Sequence, residues 1–113
     1  MKKYNVAVIG YGWASTAHIE AINASSLAQV TALYSSRPQD GAALSARHGG
    51  SIQPYSDLAA LLARTDIHAV SICSYPHQHT DHIIAAARAK KHIIIEKPIS
   101  LSLEDAAAVS EAI

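Results

Sequence analysis

The chain has one cysteine, no excess of either charge, and no apolar run long enough to cross a membrane. Each shortage removes a class of protein. Cys73 alone cannot close an internal disulfide. It ends an apolar stretch and reads as a small core hydrophobe in a reducing compartment. Nine basic and nine acidic residues cancel. No basic field remains, so nucleic acid is not an expected partner. The apolar stretch behind Met1-Lys2-Lys3-Tyr4 stops at Gly10. It is too short for a span and carries no signal-peptide cleavage site. No membrane partner is expected, and the expected location is cytoplasmic. Internal repeats, low-complexity tracts and linkers are also lacking. The 113 residues make one domain at most. Its core is marginal, because a chain of this size buries roughly 60–70% of its unfolded surface.

What is present begins with Val6-Ala7-Val8-Ile9, followed at once by Gly10-Tyr11-Gly12-Trp13-Ala14-Ser15. An apolar strand feeds a glycine turn, and Ala14 to Ala24 reads as a helix. Gly10 permits a sharp turn, and Gly12 has no side chain to block a pyrophosphate. The helix start at Trp13 and Ala14 offers backbone N–H groups and a positive dipole end to that anion. Ser15 stands at the third small position instead of glycine. It still fits against a strand, less tightly, and its hydroxyl is available to donate to a phosphate.

Strand and helix patterns alternate along the whole chain. Strands are expected at about Asn5–Ile9, Gln29–Tyr34, Ala69–Cys73 and His92–Ile95, with a short edge strand at Ser51–Pro54. Helices are expected at about Gln39–His48, stopped by Gly49-Gly50, and from a Ser56 cap to Ala63. Two more are expected from Pro76 to Ala89 and from a Ser102 capping box to Ile113. Three consecutive isoleucines at 93–95 fit a strand buried on both faces. Such alternation implies an α/β fold: a Rossmann-type, doubly wound parallel sheet in a three-layer α/β/α sandwich, strand order 3-2-1-4-5. The expected core is Val6, Val8, Ile9, Val30, Leu33, Val70, Ile72, Ile93 and Ile95. The ligand crevice falls at the carboxyl ends of the first and fourth strands.

A ribose-reading residue belongs roughly 20 residues past the glycines, at the end of the second strand. That place holds Ser35-Ser36-Arg37. An NAD site usually has Asp or Glu there, which also repels a 2′-phosphate. Two hydroxyls and a guanidinium favour that phosphate instead, and Arg37 can bind it bidentately or stack on adenine. NADP is therefore the expected cofactor, with NAD the alternative. The blander view makes Ser35 and Ser36 a turn before Pro38, with Arg37 in water.

Further along stand Ser74-Tyr75-Pro76-His77-Gln78-His79 and Lys91-His92-Ile93-Ile94-Ile95-Glu96-Lys97-Pro98. With the glycine motif and His18, this resembles the glucose–fructose oxidoreductase / inositol dehydrogenase / MocA (Gfo/Idh/MocA) family over essentially the whole chain. The Glu-Lys-Pro tripeptide after a strand is its most specific element. The resemblance implies an NAD- or NADP-dependent oxidoreductase acting on a carbinol centre of a sugar, cyclitol or related small molecule. It implies Lys97 as the catalytic residue, near the nicotinamide ribose and the substrate hydroxyl. It places Glu96 near the cofactor ribose and His77 near the nicotinamide end of the crevice. An ammonium beside a carbinol oxygen stabilises developing negative charge, so Lys97 suits that chemistry.

The family commonly has Thr-Pro-Asn where this chain has Ser74-Tyr75-Pro76. Ser74 keeps the hydroxyl, and Tyr75 lines or narrows the nicotinamide pocket. The resemblance further implies that residues 1–113 are a truncated cofactor domain whose C-terminal substrate domain is absent. Such a chain is expected to bind nucleotide without being catalytically competent, and to self-associate through an uncovered sheet edge. A non-catalytic NAD(P)-binding sensor or interaction module is the alternative. The Lys97–Pro98 peptide is expected to be cis. Of His77, His79 and His82, the last two are three apart and share a helix face, but no cysteine or carboxylate pair completes a zinc set with them and Asp81 points to another side, so no metal is expected. His77 and His79 are assigned to the crevice and helix start, and His82 to the surface. His18 is placed at the surface or against a neighbouring loop.

Overall fold

The computed structural model describes residues 3–95 and 102–113, with the Trp13 side chain left aside. Ten elements alternate: β1 (Tyr4–Ile9), α1 (Trp13–Ala24), β2 (Ala28–Tyr34), α2 (Gly41–His48), β3 (Gln53–Tyr55), α3 (Leu58–Leu62), β4 (Ala69–Ile72), α4 (Pro76–Arg88), β5 (His92–Ile95) and α5 (Leu103–Ala112). The five strands pair in parallel in the order β3-β2-β1-β4-β5, as expected. Pro54, which has no N–H for a ladder, lies on β3 at one edge.

Alternation along the strands divides the core between two faces. Val8, Val30 and Leu33 pack with Ile19 of α1 and Leu44 of α2. Ala7, Ile9, Ala32, Val70 and Ile72 pack on the other side with Leu61, Ile83, Ala86 and Val109 of α3, α4 and α5. Val30 and Leu33 share a face although they are three residues apart. The reason is a register shift: Val6 pairs with Val30, but Ala7 pairs with Ala32. Thr31 is the extra residue of a bulge that resets the alternation.

Helix starts are set by short acceptors. Asp40 caps α2 by accepting from the Ala42 N–H at 3.0 Å, so the helix begins two residues after Gln39. Asp57, and not Ser56, caps α3, accepting from the Ala59 N–H at 3.1 Å. Ser102 caps α5 as expected, through the Asp105 N–H.

Strand β5 departs from expectation. Ile93 and Ile95 are only half-buried, and Ile94 on the opposite face is 48% exposed. Among the described residues β5 pairs on one side alone, with β4. With pairing on one side alone among the described residues, the face of Ile94 is left open whatever the apolar content of the sequence.

Candidate functional site

The glycine turn joins the ends of the two central strands. Gly10 leaves β1 with φ +98°, a region that favours glycine. A Cβ there would lie 2.8 Å from the Ser74 backbone nitrogen and 2.9 Å from the Ser74 Cα. The chain after β1 and the chain after β4 therefore touch backbone to backbone. The Gly10 N–H also donates to the Tyr34 carbonyl at 2.8 Å, which draws the end of β2 to the same point. Gly12 is different. Its backbone is extended, with φ −167°, and a Cβ would meet no atom within 4 Å. Open space lies above it, beside the first N–H groups of α1, which have no partner within the helix.

Ser15 does not serve as a phosphate donor. Its Oγ accepts from the Gly12 N–H at 2.7 Å and donates to the Gly12 carbonyl at 2.8 Å, and the residue is buried. The hydroxyl is consumed in fixing the turn.

A crevice of about 770 Å³ opens over this junction. Of the expected cofactor residues, Gly10, Gly12, Ala14, Ser35, Ser36, Arg37, Ser74, Tyr75 and His79 line it. At the β2 end, Ser35 is buried and its Oγ accepts from the Arg37 N–H at 3.2 Å. Ser35 thus shapes the turn, as in the blander view, while Ser36 and Arg37 are exposed at the crevice. The Arg37 guanidinium reaches to 3.5 Å from the Tyr11 carbonyl.

The opposite wall is built from the start of α4. His79 is buried, with Nε2 donating to the Ser74 carbonyl at 2.7 Å. His82 is buried as well, and this corrects its assignment to the surface. Its Nδ1 lies 2.7 Å from the Ser74 Oγ, and Tyr34 packs edge-on against its ring at 5.9 Å. The two histidines clamp Ser74 from below. His77 is exposed and stacks on Tyr75, with ring centroids 5.9 Å apart, and it does not line the crevice. His18 also differs from expectation: its Nδ1 lies 2.6 Å from Ser71 Oγ of β4, so it faces the sheet. No three His, Cys, Asp or Glu groups come together as metal ligands among the described residues.

Glu96, Lys97 and the Lys97–Pro98 peptide lie outside the described residues. Trp13 is placed at the first position of α1, with its side chain outside the description. Tyr11, Tyr34, Cys73, Gln78 and His82 line the crevice without having been expected there. For His82 the sequence did hold a signal. Positions 79, 82, 83 and 86 are all buried and follow the spacing of a core-facing helical stripe.

Burial pushes His82 below its ordinary value of 6.5, with Asp81 opposing and His79 adding to the effect. Burial, reinforced by Arg47, does the same to His48. The unfolded chain then takes up protons before the folded one. Stability is complete above about pH 6.5 and falls as pH drops toward the folded values. The urea midpoint is expected to fall between about pH 7.5 and about pH 5.5. In a His82→Leu variant the drop is expected to be smaller; an equal drop would remove His82 from the account.

The sequence profile of the Gfo/Idh/MocA oxidoreductase family, NAD-binding Rossmann fold, matches residues 4–113. The chain belongs to this family. It is 33% identical over 120 residues to levoglucosan dehydrogenase of Pseudarthrobacter phenanthrenivorans, covering 100% of this chain and 31% of that one. It is 34% identical over 100 residues to myo-inositol 2-dehydrogenase of Thermotoga maritima, covering 88% of this chain and 30% of the relative. Among solved structures, a 3-ketoreductase from Actinomadura kijaniata in complex with NADP and TDP-benzene superposes with TM-score 0.86 at 30% identity. That likeness covers 98% of this chain and 34% of the reductase. The chain spans about a third of the length of these family members.

Proposed function

We propose that this chain is the cofactor half of an NAD(P)-dependent oxidoreductase acting on the CH–OH group of a sugar, cyclitol or related small molecule, with NADP preferred. One observation carries the reading. The crevice sits where Gly10 and Ser74 meet, and its β2 wall offers Ser36 and Arg37 but no carboxylate. The residues fit a dinucleotide. Space above Gly12 accepts a pyrophosphate, the start of α1 supplies N–H donors, and Arg37 supplies a cation at the ribose end.

When bound, the cofactor supplies hydride chemistry that no side chain can provide. The chain's own residues bind and orient. Ser74, held by His79 and His82, fixes the wall opposite the glycine turn. Tyr75, 73% exposed, stands at the mouth of the crevice, stacked on His77. We assign Lys97 as the catalytic residue that stabilises charge at the reacting oxygen, and Glu96 as a contact to the cofactor ribose, on the Glu-Lys-Pro motif. The named dehydrogenase relatives support a polyol or sugar substrate.

The 113 residues expressed alone are expected to bind nucleotide but to turn over no substrate. One lysine cannot orient a substrate, and orientation accounts for roughly 7–11 kcal/mol of barrier reduction in enzymes. A dehydrogenase assay over cyclitols and sugars, run beside calorimetric titration with NADPH and NADH, tests both halves. Heat of binding without turnover is the expected pair of results. Lys97-dependent turnover by the isolated chain would contradict the division of labour. The absence of binding would contradict the function itself.

A further inference from the structure

A second cavity of about 480 Å³ adjoins the crevice on the flank of α1. Tyr11, Gly12 and Arg37 line both spaces, so the two meet across the glycine turn. Arg47, from the last turn of α2, lines the second cavity, with Thr16 and Glu20 of α1. Among the described residues the ion pair present is Arg64–Asp66, and neither Arg37 nor Arg47 has a carboxylate partner within 4.0 Å. Two guanidiniums and one carboxylate leave this space net positive, at the positive end of the α1 dipole.

Arg47 is held in place. Its Nη1 donates to the Tyr11 hydroxyl at 3.1 Å, and the same hydroxyl lies 3.0 Å from His48 Nε2. The His48 Nδ1 is buried with no partner among the described residues. A buried N–H without an acceptor costs more than a bare lone pair, so the ring proton belongs on Nε2. Tyr11 Oη then accepts from both Arg47 and His48. Its own O–H is left to donate to a further acceptor. Three donor groups thus surround one cavity: two guanidiniums and a phenol.

We propose that Arg47 is a second specificity-determining residue, forming with Arg37 and the Tyr11 hydroxyl an anion site for the 2′-phosphate of NADP. The inference rests on the NADP reading above. The end of β2 holds the ribose in this fold. Arg37 links that place to the cavity, so an anionic group on the ribose meets a cation-lined space beside it. Glu20 on the far wall disfavours a larger anion filling the whole cavity.

The test uses the full 113-residue chain with Arg47→Ala, Arg47→Gln and Arg37→Ala, titrated with NADPH, NADH, 2′,5′-ADP and 5′-ADP. Both Arg47 variants are expected to weaken NADPH and 2′,5′-ADP by about tenfold, with NADH and 5′-ADP within about twofold. Arg47→Gln keeps a donor for Tyr11 but not the charge. If Arg47 only braced the turn, Arg47→Gln would behave as wild type and Arg47→Ala would lose all four ligands equally; either result overturns the proposal. A selective loss with Arg37→Ala but none with the Arg47 variants overturns this inference alone. No selective loss with any variant overturns the NADP reading beneath it.

Discussion

Gly10→Ala is expected to unfold much of the population or to lower the melting temperature by well over ten degrees. Two costs add. A non-glycine residue at φ +98° carries strain of about 1–3 kcal/mol. The new Cβ also strikes backbone atoms of Ser74 at 2.8 and 2.9 Å, and backbone at the end of a buried strand cannot swing aside. Overpacking of this kind adds about 1–3 kcal/mol. The sum, about 2–6 kcal/mol, reaches the lower end of the stability of a small domain, about 5–15 kcal/mol, and each kcal/mol moves the melting temperature by several degrees. Gly12→Ala is the contrast. Its Cβ meets open space and its φ suits any residue, so the loss of stability is about 1 kcal/mol or less. Nucleotide affinity falls instead, for NADPH and NADH alike, because the methyl group fills the space assigned to the pyrophosphate. Thermal melts and titrations of the two variants separate these effects. A stable Gly10→Ala chain would contradict the close approach of β1 and β4.

Arg37→Ala is expected to weaken NADPH by about tenfold or more and NADH by much less. A charge-assisted contact to a phosphate contributes about 1.5–3 kcal/mol, and only NADPH carries the 2′-phosphate. Arg37 is exposed, and among the described residues its guanidinium makes one hydrogen bond, at 3.5 Å to the Tyr11 carbonyl. Its removal therefore costs the fold little, and the loss of affinity reads directly on the ligand. Equal losses for both nucleotides would mean that Arg37 stacks on adenine or stands apart from the phosphate.

The elements and their order were legible because the signals are local. The run from Val6 to Ile9, the glycines behind it and the stop at Gly49-Gly50 each dictate backbone shape within a few residues. Alternation implied a parallel sheet with right-handed crossovers, and the strand order followed from the dinucleotide-binding fold that the glycine turn signals. Side-chain direction at a turn was less accessible. Ser35 and Ser36 are chemically identical neighbours that both line the crevice, yet one is buried and accepts from the Arg37 N–H while the other is exposed. Spacing from the glycines cannot choose between them. His82 was misplaced because its chemistry outweighed its position on the stripe shared with His79, Ile83 and Ala86. The run from Ile93 to Ile95 carries no periodicity, so it held no sign that one face lies open. The Tyr11–Arg47–His48 linkage joins residues 36 and 37 positions apart through packing between a turn and a helix end. No local pattern announces such a contact.

The most direct test is titration of the unaltered chain with NADPH and NADH, followed by tryptophan fluorescence. Trp13 is the chain's one tryptophan and sits at the first position of α1, next to Gly12. The account predicts saturable quenching by both nucleotides, with NADPH binding more tightly. Tighter binding of NADH would contradict the part given to Ser36 and Arg37, and no saturable response to either would contradict the crevice as a dinucleotide site.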